Sequence, residues 1–460
     1  MPLSTGSSSA PPGGRGRIPG RASGERSRTQ RERLIDATIA LSAKQGAQAA
    51  TIAQISSQAG VSSATFYEQF ASKEDCLLAA YRTAAERLLV VAPAAATDGD
   101  WTRDARRSLR DFALLLQQNP DAGRMLFVDT ASGGPGVQGA RGAAIRAFDA
   151  RVAQFLDAAA ASGPVIDVPA AALVGATRSI VARSLRTHGE SELPGLVDDG
   201  LSWLLSYSVP PGTPLWSDTD AALLPGDAGR VPVTGRRTVG RLPRGRHSLP
   251  PGLVARSHRT RILYAVAEVT EAKGYADTTV SDIVAAAGVS RDVFYEHFAD
   301  KQDAFLEAQN HPTQHILERC AGAYFEQGSW PERVWSMFAL LLRVIAENPA
   351  ISHLRLVECY AAGPVAIRRA EEITRSFTVF YEEGYGYGPQ AGALPRLTTQ
   401  AIAGAIFEII QRPALRGELQ SLPSLLPRLT YVCIAPFMGA PAAIELLRAQ
   451  MRDQRGGTGS

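Results

Sequence analysis

Lysine is nearly missing from this chain of 460 residues. It stands only at positions 44, 73, 273 and 301, and every other strong base is arginine. Cysteine is as scarce. Cys76, Cys320, Cys359 and Cys433 form no Cys-x-x-Cys pair and have no histidine at zinc-ligand spacing. A metal module and a disulfide framework are therefore not expected, and buried thiols in a reducing cytoplasm are. No apolar run reaches the ~18 residues of a membrane span, and the N-terminus carries no secretory-type apolar core. The net charge is only +3, so any affinity for nucleic acid must come from local basic clusters. Catalytic signatures are absent too: there is no H-E-x-x-H, no Walker loop, no nucleophile elbow and no histidine cluster. Gly384-Tyr385-Gly386-Tyr387-Gly388 resembles a phosphate loop only in its glycines, and no strand precedes it. It reads as a flexible loop. Neither an enzyme nor a cofactor is expected.

What is present is a repeat. Gly60-Val61-Ser62-Ser63-Ala64-Thr65-Phe66-Tyr67-Glu68-Gln69-Phe70-Ala71-Ser72-Lys73 returns 228 positions later as Gly288-Val289-Ser290-Arg291-Asp292-Val293-Phe294-Tyr295-Glu296-His297-Phe298-Ala299-Asp300-Lys301. A glycine that accepts positive φ, followed by a serine that can cap the next helix, is the corner of a helix-turn-helix. Upstream, Leu34, Ile35, Thr38 and Ile39 lie at helical spacing, Gly46 stops that helix, and Thr51 can cap a short one over 52–59. Ile262, Leu263, Val266, Gly274 and Thr279 repeat the arrangement.

The repeat continues beyond this unit. Trp101 and Trp330, Asn119-Pro120 and Asn348-Pro349, Gly134-Pro135 and Gly363-Pro364, Gly175 and Gly404, and Leu193-Pro194 and Leu422-Pro423 all keep an offset of 229. A constant offset over so long a stretch marks a duplicated domain. Few segments read as strands, so the expected fold class is all-α: two three-helix helix-turn-helix units, each followed by a helical domain. The expected division is a disordered basic tail over 1–27, units at 28–75 and 257–303, helical domains at 76–209 and 304–448, a Pro/Gly/Arg-rich linker at 210–256, and a frayed tail at 449–460. Arg15, Arg17, Arg21, Arg26, Arg28, Arg31 and Arg33 form a candidate phosphate-following arm, with a solvated tail as the plainer reading.

Both copies resemble TetR-family transcriptional regulators. The resemblance is carried by Gly46, Thr51, Ala59-Gly60-Val61-Ser62, Phe66-Tyr67, Phe70 and Lys73, and by Gly274, Thr279, Ala287-Gly288-Val289-Ser290, Phe294-Tyr295, Phe298 and Lys301. It implies that the helix-turn-helix units bind DNA and that each helical domain is a ligand-binding and dimerisation domain. Double-stranded DNA would be the partner, with Ser62, Ser63 and Thr65 facing bases in the first copy and Ser290, Arg291 and Asp292 in the second. Thr51, Tyr67, Gln69 and Lys73, and Thr279, Tyr295, His297 and Lys301, match positions that hold phosphates. The resemblance further implies a repressor relieved by a small-molecule effector of unknown identity. Trp101, Phe112, Met125 and Phe127, and Trp335, Met337, Phe338 and Tyr360, are candidate cavity residues, with plain core packing as the stronger reading. One chain with two unlike readers is expected to pair its halves as an intramolecular pseudo-dimer on an asymmetric operator. The pairing elements would be 170–186 with 196–207 against 397–411 with 425–436. Homodimers remain open. The alternative is a ligand-sensing interaction protein with one or both DNA-binding units inactive.

Overall fold

The computed structural model describes residues 29–457 except 48, 90–99, 129–133, 163–164, 188, 211–215, 217–249, 312, 327 and 389. The arginines proposed as an arm before Thr29, and the basic run of the linker, lie outside the described residues.

The first half opens with α1 (Gln30–Gln45), α2 (Ile52–Ala59), α3 (Ser63–Gln69) and α4 (Lys73–Leu89). Local chemistry sets each boundary. Thr29 caps α1 in a reciprocal box with Glu32, and Gly46 ends the helix at φ 82°. Gly60 takes the left-handed conformation at φ 65°, ψ 40°, which only glycine adopts without steric cost, and so turns α2 into α3. Leu34, Ile55, Phe66, Phe70 and Ala80 close a core under the turn. The helical domain follows as α5 (Trp101–Gln118), α6 (Pro120–Phe127), α7 (Pro135–Ser162), α8 (Ala170–Thr187) and α9 (Val197–Leu205). Strands β1 (Val165–Ile166) and β2 (Ser208–Val209) pair antiparallel at its edge.

The second half repeats this as α10 (Pro251–Asp277), α11 (Val280–Ala287), α12 (Arg291–His297), α13 (Lys301–Asn310), α14 (Thr313–Tyr324), α15 (Trp330–Glu347), α16 (Pro349–Leu356), α17 (Pro364–Ser376), α18 (Thr398–Leu415), α19 (Leu426–Met438) and α20 (Ala440–Gly457). Three expectations shift. Helix α10 begins at Pro251, inside the stretch assigned to the linker, because a proline at the first helical turn gives up no bonded N–H. The tail expected from 449 is helical through Gly457, with Met451 buried. The glycine-rich segment at 384–388 is not a free loop: Gly384 lies in a short 3-10 turn against Trp330 and Phe437, where a Cβ would stand 2.7 and 2.8 Å from their rings. Among the described residues no single helix is long and apolar enough to cross a membrane.

The halves meet along α8 and α18. Gly175 and Gly404 face each other, and a Cβ on Gly175 would lie 2.5 Å from the Gly404 carbonyl oxygen and 2.5 Å from Glu408 Cβ. A Cβ on Gly404 would lie 2.7 Å from the Gly175 oxygen and 2.5 Å from Ser179 Cβ. Ser179 and Glu408 are themselves related by the 229 offset. The contact is therefore reciprocal, as in a two-fold interface between identical subunits. Around it Arg178 pairs with Glu408 at 2.5 Å, Arg186 with Glu371, and Arg412 with Asp149 at 2.7 Å. Tyr207 donates to the Val432 carbonyl at 2.7 Å. Trp216, just beyond the first half, is buried and stacked on Tyr431, and its N–H donates to Asp167. One apolar core runs through α8, α9, α18 and α19.

Gly175→Ala is expected to lower stability by about 1–3 kcal/mol through overpacking at the crossing. Gly139→Ala, in α7 with nothing within 4 Å of the added Cβ, is expected to raise it by about 0.5–1 kcal/mol by removing backbone freedom from the unfolded chain. Parallel denaturant titrations check both signs.

Candidate nucleic-acid interface and helical cavities

In each unit the third helix stands on a buried phenylalanine pair and exposes its other side. Phe66 and Phe70 are buried at 5.8 Å between centroids, and Phe294 and Phe298 at 5.7 Å. Tyr67 and Tyr295 lie edge-on against the first ring of each pair and are 60% and 55% exposed, so their hydroxyls reach solvent. For two large aromatics on short helices, exposure on this scale fits a phosphate-contact role. Ser63, Arg291 and Asp292 are also exposed on the outer side.

The serines do two jobs. Ser62 Oγ accepts the Thr65 N–H at 3.0 Å and also meets Thr65 Oγ1 at 3.1 Å; Ser290 Oγ accepts the Val293 N–H at 3.3 Å. They fix the start of α3 and α12. Thr65 is half-buried, which leaves Ser63 the more open hydroxyl in the first reader. In the second reader the Arg291 guanidinium donates to Ser281 Oγ at 3.0 Å, which holds the side chain along the outer surface.

Thr51 and Thr279 cap the second helices. Thr51 N and Oγ1 both donate to Gln54 Oε1, at 3.0 and 3.1 Å. Thr279 makes the same bonds to Asp282 Oδ2, at 2.9 and 2.6 Å, and that carboxylate also pairs with Lys273 at 2.8 Å. Lys273 first, and Thr279 next, hold the Asp282 carboxyl down at about 2.

Three matched residues make contacts within the protein. Lys301 turns inward: its ammonium donates to the Tyr275 carbonyl at 2.9 Å and lies 4.3 Å from the Tyr275 ring centroid, and burial lowers its pKa. His297 is half-buried against Phe298, with Nε2 screened from solvent. Gln69 is half-buried, and its backbone carbonyl accepts from Arg31 at 3.3 Å.

Two arginines outside the expected contact set carry structural weight. Arg33 belongs to α1, and its guanidinium donates to the carbonyls of Ala59 and Gly60. Arg261 does the same to Ala287 and Gly288. Each arginine satisfies the open carbonyls at the end of the second helix and pins the turn from behind. The signal was available, since positions 33 and 261 keep the 228 offset. Arg31 likewise lies over Phe70, 4.2 Å from its centroid, not in a free arm.

The helical domains differ inside. The second encloses a cavity of about 530 Å³, walled by Leu341, Ile345, Phe377, Ile406 and Ile410 and by polar groups that include Arg319 and Arg355. In the first, the matching place beside Tyr81 and Leu126 holds about 60 Å³, and a separate apolar space of about 170 Å³ lies beside Phe112 and Trp203. Of the aromatic and methionine candidates, Phe112 lines that apolar space, whereas Trp335, Met337 and Phe338 are core and Tyr360 lies beneath Arg141. Among the described residues no cluster of His, Cys, Asp or Glu is placed to hold a metal.

Residues 34–80 and 262–308 each match the family described as bacterial regulatory proteins, tetR family. The HTH-type transcriptional activator FasR of Mycolicibacterium smegmatis is 25% identical over 181 residues, which is 39% of this chain and 66% of that protein, just under two thirds of its length. The fatty acid degradation regulator FadR of Bacillus halodurans superposes with a TM-score of 0.36 at 18% identity, over 41% of this chain and 97% of its own. FadR of Bacillus subtilis, solved with stearoyl-CoA, gives 0.34 at 16% identity, over 38% and 97%.

The Asp282 carboxyl is depressed when folded, so its contribution is present above pH 3.8 and is lost as pH falls toward about 2. The difference in urea midpoint between wild type and Asp282→Asn is expected to close across that window. Gln54 holds the same place in the first unit, and Gln54→Ala should give a difference that pH leaves unchanged. With the turn, caps, buried aromatic pair and outward tyrosine present twice, the chain belongs to the TetR family of DNA-binding transcriptional regulators and carries that family's helix-turn-helix unit two times over.

Proposed function

We propose that a single chain acts as an intramolecular pseudo-dimer on an asymmetric operator, one half-site read by α3 and the other by α12. The observation that carries this reading is the charge pattern of the seam. Applying the 229 offset converts each inter-half contact into the one a like-with-like pairing would make. Two first halves would set Arg178 against Ser179 and Arg186 against Gly142, keeping only Arg183 near Asp149. Two second halves would set Glu408 against Phe407 and Arg412 against Thr378. Glu408 is only 3% exposed. Its remaining partner would be Arg412 one turn along, at 3.5 Å. Stranding a buried charge in this way costs about 3–5 kcal/mol. The glycine crossing fits any pairing of halves, whereas the ion pairs favour first with second.

The readers are chemically unlike. Ser63 offers a small hydroxyl. Arg291 offers a fork that matches guanine O6 and N7, and Asp292 an acceptor suited to cytosine N4. A palindrome would waste that difference. Effector occupancy of a helical domain would change how the readers are spaced. Whether the outcome is repression or activation depends on where the operator lies relative to the promoter.

The test is mass and footprint together. One chain of 49.0 kDa per duplex, an asymmetric footprint and affinity that falls steeply with salt are expected. Two chains per duplex, or a symmetric footprint, would overturn the reading. Arg291→Ala should cost about 1–3 kcal/mol and relax preference at one base pair in one half-site only.

A further inference from the structure

The two helical domains were built from one plan, yet residue by residue they close or open the same interior space. In the first half Gly123 lets α6 settle against α5 and α8, so closely that a Cβ there would be 3.0 Å from Leu116 and 3.6 Å from Leu185. The residues 229 positions later are Ser352 and, in place of Leu185, Ala414. A hydroxymethyl group holds α16 off, and a methyl leaves room where an isobutyl group fills it. Tyr81, buried in the first half, corresponds to Gln309, and Leu126 to Arg355. The exchange at Leu185 takes bulk out of the second half, and those at Tyr81 and Leu126 replace grease with polarity.

The result is the cavity of about 530 Å³, within the ~300–1,000 Å³ range of small-molecule sites. The corresponding space in the first half, beside Tyr81 and Leu126, is only about 60 Å³, and the arginines that reach its wall are already engaged, Arg141 over the Tyr360 ring and Arg178 with Glu408. A separate apolar space of about 170 Å³ beside Phe112 and Trp203 also falls below that range. The first half also has an outer groove containing Arg33, Asp36 and Arg87, but Arg87 is paired with Asp36 at 2.6 Å and Arg33 is engaged with the turn.

The wall of the larger cavity has one sign of charge. Arg319 and Arg355 line it, with His311 and His315 toward the same helix, and no aspartate or glutamate does. Burial pulls Arg355 down to about 10, which leaves it cationic at neutral pH. The remaining wall is mainly aliphatic and aromatic. Tyr264 of α10 and Gln309 of α13 also line the space, so an occupant touches the second DNA-binding unit directly.

We propose that the chain has one effector site, in its second half, for an apolar molecule bearing a single anionic group, and that the first half follows through the α8–α18 seam without sensing anything itself. This rests on the ligand-responsive reading above and sharpens it: one ligand per two readers, in contact with α10 of the second DNA-binding unit through Tyr264.

The experiment uses the full chain without DNA, so its failure is separate from any failure of operator recognition. Calorimetry compares four molecules with the same tail, each below its micelle threshold: dodecanoate, dodecyl phosphate, dodecanol and dodecyltrimethylammonium. At least one anion should bind with a stoichiometry of one per chain and at least about tenfold tighter than the cation, as expected for a charge-assisted contact. Preference between carboxylate and phosphate identifies the head group. Arg355→Gln should remove most of that preference while leaving dodecanol binding in place. Arg319→Gln should weaken the preference in the same direction if Arg355→Gln does not fold. Thr177→Phe, which fills the larger first-half space, should leave stoichiometry at one. Two molecules per chain, equal binding of anion and cation, or an unchanged preference in both folded arginine variants would overturn the proposal.

Discussion

At one crossing point two helices touch backbone to backbone. Gly175 on α8 and Gly404 on α18 leave no room for a Cβ on either side. That approach brings the flanking turns close enough for Arg178 to reach Glu408 and Arg186 to reach Glu371. It also places α9 and α19 together, so that Tyr207 can donate into the carbonyl of Val432 and its ring can lie against Tyr431. Any side chain larger than hydrogen at either glycine would hold the helices apart. The surrounding ion pairs would then be stretched, and Glu408 would face the interior with its main partner withdrawn. The seam is thus a steric permission given by glycine, filled by directional charge.

A duplicated chain is released from a constraint that binds a homodimer. In a homodimer every interface residue must fit its own symmetry mate, so a change on one side is a change on both. Here the backbone crossing keeps the two-fold relation, as the reciprocal contacts of Gly175 with Glu408 and Gly404 with Ser179 show. The side chains do not. Arg178 has become the counterpart of Phe407, and Arg186 that of Leu415. The same release acts on the readers, where Ser63 and Arg291 hold equivalent places, and on the interiors, where Leu126 and Arg355 do. Divergence in all three places follows from one covalent linkage.

How much of this was legible depended on how local the signal was. The helix-turn-helix units could be read because glycine at positive φ, a capping serine or threonine and an aromatic at fixed spacing each act within a few residues. The helix pairs expected at the seam follow from the family resemblance alone, and Gly175 and Gly404 mark the repeat without announcing that they meet. The ion pairs were not, since Arg178 and Glu408 are 230 positions apart and nothing in either neighbourhood names the other. Lys301 matches the phosphate position by sequence, but a carbonyl and an aromatic ring from α10 draw it inward. Arg33 looked like part of a basic tail because the arginines before it are continuous with it; only tertiary structure shows its guanidinium under the turn. The cavity lining was missed for a related reason. Large aromatics are found by inspection, whereas the space depends on small residues such as Ala414 and Ser352 that leave room.

Trp216 bears on how the two halves are held together. It follows directly on the first half, within a stretch that by composition reads as linker, yet it lies buried against Tyr431 of the second half with its backbone held by Asp167. Trp216 thus packs against the second half although it follows directly on the first. Joined halves meet at an effective concentration set by the tether, in the mM range for short flexible links and independent of how much protein is present. A homodimeric regulator loses its paired readers when dilution separates its subunits; a tethered pair does not. The seam can then tolerate buried charge, whose desolvation adds little net affinity, and use it for selecting first half against second. Specificity of pairing comes from the arginines and glutamates, while the covalent link and the aromatic latch keep the pair together.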